Sequence, residues 1–136
     1  MSSTATEDLG KLILRLALGI LILLHGLGKL GGGVGWITGM LQTHGIPGFV
    51  AYGVYIGEIL APVLLVLGLW TRAAGLIVAI NMLFAFGLVH SADALVLGKS
   101  GGWALELQGM YFFSGIAVAL LGAGAYSLGG RNGRYN

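Results

Sequence analysis

The sequence predicts an all-α membrane protein, a bundle of four transmembrane helices with both termini in the cytoplasm. Three observations lead there. Hydrophobic residues make up 57% of the 136-residue chain and charged residues only 9%, against roughly 25% charged in a typical soluble domain. So few charges cannot cover a water-facing surface, and lipid must be the solvent for much of it. Next, four apolar stretches, 11–30, 49–70, 73–90 and 103–122, each approach the roughly 20 residues that a helix needs to cross a bilayer. They are continuous rather than alternating, which excludes barrel strands, and helices satisfy their own backbone in lipid. Finally, Lys11, Arg15, Arg72, Arg131 and Arg134 fall on one side of these stretches, and only Lys29 and Lys99 on the other. The positive-inside rule assigns the richer side to the cytoplasm.

Taken in order, the first apolar run (12–24) is longer than a signal-peptide core. The residues after it, His25-Gly26-Leu27-Gly28-Lys29, hold no small-residue cleavage site, so a span is expected rather than a leader. The first loop, 31–48, is rich in glycine and carries Trp36 and Pro47; a short re-entrant or interfacial piece is expected around 36–43. Only Thr71 and Arg72 separate the second and third spans, which predicts a tight hairpin. The third loop, 91–102, carries Asp93 and Lys99. The chain has 26 glycines, and in lipid small residues let helices pack closely. Gly53-x3-Gly57-x3-Ala61 and Gly115-x3-Ala119-x3-Ala123 give the second and fourth spans one smooth face each. The whole of 1–136 reads as a single membrane domain.

Composition also excludes. With no cysteine there is no disulfide, thiolate metal site or thiol catalysis from this chain. The basic residues are dispersed, which argues against nucleic acid as a partner. No metal site is expected.

Ionisable groups inside a span are costly, at least about 2.5–3.5 kcal/mol at mid-bilayer, so these positions carry the most information. His25 and Lys29 lie in the outer third of the first span, on one face by their i, i+4 spacing. Glu58 lies near the middle of the second, too short to reach either surface. It must be protonated, paired with Lys29 or His25, or facing water. Asn81 is central in the third span and His90 ends it. Glu106, Gln108 and Tyr111 occupy the outer half of the fourth, after Trp103. Blander readings stand beside each: Lys29 as an interfacial anchor, His90 as a helix-end cation and Glu106 as a helix-start anion. Trp36, Trp70 and Trp103 fit an aromatic belt, and Arg15 fits snorkelling to phosphate. Yet all four spans send polar groups to the same half, which dispersed anchors do not explain.

Several of these residues resemble a known family. His25-Gly26-Leu27-Gly28-Lys29-Leu30 ends the first span, and Gly57-Glu58 and Gly68-Leu69-Trp70-Thr71-Arg72 mark the second. Glu106-Leu107 opens the fourth, which closes on Gly122-Ala123-Gly124-Ala125-Tyr126-Ser127-Leu128. Over nearly its whole length the chain is similar to the DoxX family of small four-helix bacterial and archaeal membrane proteins. Gly129 stands where the family often has an acidic residue. The resemblance implies a multi-pass protein of the cytoplasmic (inner) membrane, associated with thiosulfate:quinone oxidoreductase or other membrane redox complexes. It also implies that His25, Lys29, Glu58 and Glu106 are the family's recurring polar positions, and that Arg72 is its turn arginine with a topological role.

Two functions follow as expectations. The first is a redox subunit binding quinone in the outer half of the bundle. His25 and Lys29 would donate to its carbonyls, Glu58 and Glu106 would exchange protons, and Tyr111 or Trp103 would stack on the ring. His90 is a further candidate on that side, and a bis-histidine haem b between His25 and His90 is a weaker variant. The second is a non-catalytic anchor or assembly subunit, in which the polar cluster fixes helix register. Either implies lipid contact and protein partners in a membrane redox complex or a homo-oligomer. A transporter or channel would need an oligomer, and no inverted repeat is visible.

Overall fold

A computed structural model describes residues 2–90 and 95–136, with the backbone alone at Val89 and His90. Among the described residues there is no strand, only an isolated antiparallel bridge between Leu97 and Trp103. Helix α1, Ser3–Gly32, starts where the Ser2 side chain accepts the Ala5 N–H at 3.2 Å. It stops where Gly33 adopts φ 77°, a backbone that only glycine takes cheaply. Helix α2, Gly35–Thr43, forms within the first loop, where the short piece is expected.

Helix α3, Gly48–Leu67, changes pitch along its length. It enters as a 3₁₀ turn over Gly48–Tyr52, widens to a π-helical turn over Ile56–Leu60 and continues as an α-helix over Ala61–Leu67. Pro62 supplies a reason, because it lacks the N–H that a regular helix would direct at the Glu58 carbonyl. The preceding Ala61 N–H bonds the Ile56 carbonyl, five residues back, as a π turn does. Helix α4, Thr71–Leu88, is α-helical through Ala85 and π-helical from Phe86. Helix α5 spans Glu106–Leu121.

Among the described residues three helices, α1, α3 and α4, are long and apolar enough to cross a membrane. The fourth expected stretch, 103–122, is helical over only 16 residues. Around Gly101, at φ 92°, the chain turns to form the Leu97–Trp103 bridge, and the helix starts after it. The α3–α4 turn also differs from expectation. It consists of Gly68, Leu69 and Trp70, with Gly68 and Trp70 both left-handed, and Thr71 and Arg72 already belong to α4.

Leu18 and Ile22 of α1, Leu65 of α3, Val78 of α4 and Val118 of α5 form the core, all nearly inaccessible. Glycines set the interhelix distances. On α1, Gly19 meets the Pro62 carbonyl, and seven residues on, along the same face, Gly26 meets the Glu58 backbone. A Cβ at Gly75 of α4 would come within 2.7 Å of the Gly115 carbonyl of α5, and the reverse holds at Gly115. Of the two smooth faces read from sequence, Gly115 and Gly57 are thus tightly packed, whereas Gly53 meets nothing within 4 Å. Large apolar side chains such as Ile13, Phe49, Phe84, Phe113 and Leu120 project outward from every long helix. A water-soluble monomer rarely exposes such a continuous apolar surface.

Two arginines close the bundle at the end that holds the first and last described residues. Arg15 is buried, not snorkelling. Its Nη1 donates to the Leu65 and Val66 carbonyls at 2.9 and 3.3 Å, and Nη2 to Tyr126 at 2.5 Å. Arg72 does the same for α5, donating to the Ala119 and Leu120 carbonyls at 3.1 and 2.6 Å. Each satisfies carbonyls left orphaned at a helix C-terminus and opposes the negative end of its dipole. Residues 122–136 fold back across this end. The Asn136 side-chain oxygen accepts the Thr71 N–H at 3.1 Å, capping α4, while Arg131 pairs with the buried Asp8 of α1. The carboxylate holds the Arg131 guanidinium above its ordinary pKa by direct hydrogen bonding.

Candidate functional site

At the opposite end, α1, α3 and α5 bring polar residues together. Gly26 lets α1 lie against the π turn of α3. Lys29, one turn further along α1, points back toward the helix N-terminus as helical side chains do. Its Nζ meets Glu58 Oε2 at 2.5 Å, with the carboxylate side chain 8% exposed and the lysine 22%. The pairing with Lys29, one of the alternatives open to Glu58 from sequence, is present in the fold. The Tyr55 hydroxyl donates to the Lys29 carbonyl at 3.4 Å, a long bond at the end of the same helix. A pair this deep is sensitive to truncation, because removing one partner strands the other charge in apolar surroundings.

The pair borders a cavity of about 170 Å³. From α1 come Ile22, His25 and Lys29, from α3 Glu58, and from α5 Leu107, Gln108 and Tyr111. Met82 and Ala85 of α4 and Trp36 of α2 complete the wall. The His25 and Tyr111 rings meet edge to face, with centroids 6.0 Å apart at 79°. Tyr111 is buried and His25 exposed, and both line the cavity. The i, i+4 spacing of His25 and Lys29 therefore does put both on one wall. The arrangement offers a cation, an imidazole and an amide for hydrogen bonding, a carboxylate to accept a proton, and two aromatic faces.

A second cavity, about 320 Å³, adjoins it and is almost wholly apolar. Lys29, Trp36, Glu58 and Ala85 belong to both walls. The remainder comes from α2, the first half of α3 and the second half of α4. Asn81, packed on Gly57, is a further polar side chain in it.

Of the residues singled out by sequence, Glu58, Lys29, His25 and Tyr111 converge, and Gln108 joins them. Glu106 does not. It is exposed in the first turn of α5, its carboxylate against Gly102, and it lines neither cavity. Trp103 also lines neither; its ring lies over Gly109. The side chain of His90, and with it the haem variant, lies outside the described residues, as does Asp93. Sequence reading assigned Trp36 to a lipid belt, and it missed Met82, Leu107 and the apolar cavity. The signal for Trp36 was its place in the short re-entrant or interfacial piece expected in the first loop.

A family model described as DoxX matches residues 10–91, which include His25, Lys29 and Glu58. A Bacillus subtilis (strain 168) protein named "Putative oxidoreductase CatD" is 36% identical over 116 residues, covering 85% of this chain and 81% of that protein. No solved structure gives a significant match.

Proposed function

We propose, from the premise that this chain belongs to the DoxX family, that it is a membrane component of a quinone-linked oxidoreductase system with a quinone headgroup site in the polar cavity. The observation that carries this reading is the buried Lys29–Glu58 pair on a cavity that also presents His25, Gln108 and Tyr111. The oxidoreductase name of the B. subtilis relative supports it.

The residues fit such a group. Lys29, His25 and Gln108 can hydrogen-bond to carbonyl oxygens, and Tyr111 and Trp36 offer ring faces. A quinone bound there supplies two-electron, two-proton carrier chemistry. Glu58 holds a proton or releases it to the cavity, and Lys29 compensates the carboxylate when it is charged. The apolar walls from Ile22, Met82 and Leu107 restrict water around these groups. In the same reading α5, lengthened by the residues before it, is a fourth span. Both termini lie in the cytoplasm of a bacterial or archaeal cell, with the chain in its inner membrane.

Glu58→Gln tests the site. The variant keeps the side chain's size and an amide oxygen to accept from Lys29, whose side chain is 22% exposed. It should therefore still purify as a monodisperse protein, yet lose the quinone expected to co-purify with the wild type, as should His25→Ala. Undiminished quinone content and turnover in Glu58→Gln would sink the reading. Stoichiometric partner subunits with no quinone on this chain would instead make it an anchor, its ion pair fixing helix register. Orientation has its own test. With no native cysteine, Asn132→Cys and Ser100→Cys in intact cells should label from opposite sides, Ser100→Cys from outside.

A further inference from the structure

We propose that the apolar cavity between α3 and α4 is the lipid-side entrance and tail compartment for a prenyl quinone, with the Lys29–Glu58 pair at the boundary between tail and headgroup. This rests on the quinone reading of the polar cavity and extends it to the ligand's hydrocarbon chain.

The shape of the α3–α4 hairpin creates the compartment. Near the Gly68–Trp70 turn the two helices are sealed, with Leu65 and Ala74 at 0% exposure. From the π turn of α3 outward they enclose the cavity, with Val50 and Ile56 on one side and Ile77, Ile80 and Phe84 on the other. Ile56, Ile80 and Phe84 are among the exposed apolar side chains, so the cavity reaches the outer surface of the bundle. In a membrane that surface faces lipid. The far wall is α2, with Ile37 and Met40, and methionine adapts readily to an irregular chain.

Polarity is confined to one end. Lys29 and Glu58 stand where this compartment adjoins the polar cavity, and the two share Trp36 and Ala85. A purely apolar guest would leave the charged pair facing hydrocarbon, and a polar guest would leave the larger compartment unfilled. A molecule with a hydrogen-bonding head and a linear hydrocarbon tail, delivered from the bilayer, matches both parts.

Gly53 provides the test, because it lines only the apolar cavity, has an ordinary helical φ of −59°, and a Cβ there meets nothing within 4 Å. Gly53 lies one turn before Gly57 on the face turned toward Asn81 of α4, and all three line this cavity. Gly53→Leu therefore directs a side chain into the compartment and away from the polar cavity. Binding of quinone homologues of increasing prenyl length, starting from the tail-less headgroup, would be measured by tryptophan quenching in the purified full chain. All titrations use one detergent concentration, so that micelle partitioning is common to both proteins. Trp36→Phe identifies the quenching that arises at the shared wall. Since detergent is as apolar as the cavity, only packing rewards the tail, and wild-type affinity should rise about five- to tenfold from the tail-less to the prenylated compounds. Gly53→Leu should remove that gain and keep the tail-less affinity. Tail-less binding with no gain on prenylation, or a gain that Gly53→Leu leaves intact, overturns the tail compartment while sparing the headgroup site. A co-purified phospholipid that prenyl quinones fail to displace overturns it as well. If no quinone of any length binds, the headgroup reading falls, and this inference with it.

Discussion

Gly26→Ala adds one methyl group where α1 meets the π turn of α3. The new Cβ would overlap the Glu58 carbonyl oxygen and come to 2.7 Å from both the Glu58 carbonyl carbon and Ile59 Cγ1. Two of these three atoms are backbone, so no rotamer change relieves the contact. Restoring an ordinary carbon–carbon separation of about 3.5–4.0 Å requires the helices to part by about 1 Å. Overpacking of this kind typically costs about 1–3 kcal/mol. Against it, replacing glycine by alanine within a helix favours the helix by up to about 1 kcal/mol in water. Gly28→Ala carries the same propensity change two residues away, where a Cβ meets nothing within 4 Å. The difference between the two variants therefore isolates the contact, and Gly26→Ala should be the less stable by about 1–3 kcal/mol. Reversible unfolding in mixed micelles measures that difference. A Gly26→Ala protein as stable as Gly28→Ala would refute the claim that Gly26 sets the α1–α3 distance. The account of how Lys29 reaches Glu58 would fail with it.

The other predictions follow the same contacts. Arg15→Leu should cost about 1–3 kcal/mol for each of its carbonyl partners left without a donor, and should hasten proteolysis within 122–136. Arg15→Lys should rescue little, since one ammonium cannot span carbonyls on α3 and at Tyr126 as a planar guanidinium does. Gly115→Val should destabilise by about 1–3 kcal/mol through the Gly75 contact, while Gly87→Val, with open space around it, should be milder; the same unfolding assay ranks them. Loss of co-purified quinone in Glu58→Gln, read by mass spectrometry against the wild type, remains the check on the proposed function.

Much of the architecture was legible in the sequence because lipid makes hydropathy decisive. Continuous apolar runs located α1, α3 and α4, and glycine with Trp36 and Pro47 marked the stretch that forms α2. The cost of a charge in hydrocarbon singled out Glu58 and named Lys29 among its possible partners, and helical periodicity put His25 and Lys29 on one face. Glu106 and Trp103 looked equally eligible, since sequence reports depth along a helix but not the direction in which its first turn faces.

What only the tertiary structure decided were the contacts between residues far apart in the chain. Which partner Glu58 takes depends on an interhelix distance set by Gly26 against a backbone reshaped at Pro62, and no periodicity encodes that distance. Arg15 and Arg72 read as surface cations because their carbonyl partners lie 47 or more residues away. The apolar cavity is likewise the space left where α3 and α4 splay beyond a sealed turn, with α2 as its far wall. Sequence determined which groups needed partners in lipid; packing of the helices chose the partners.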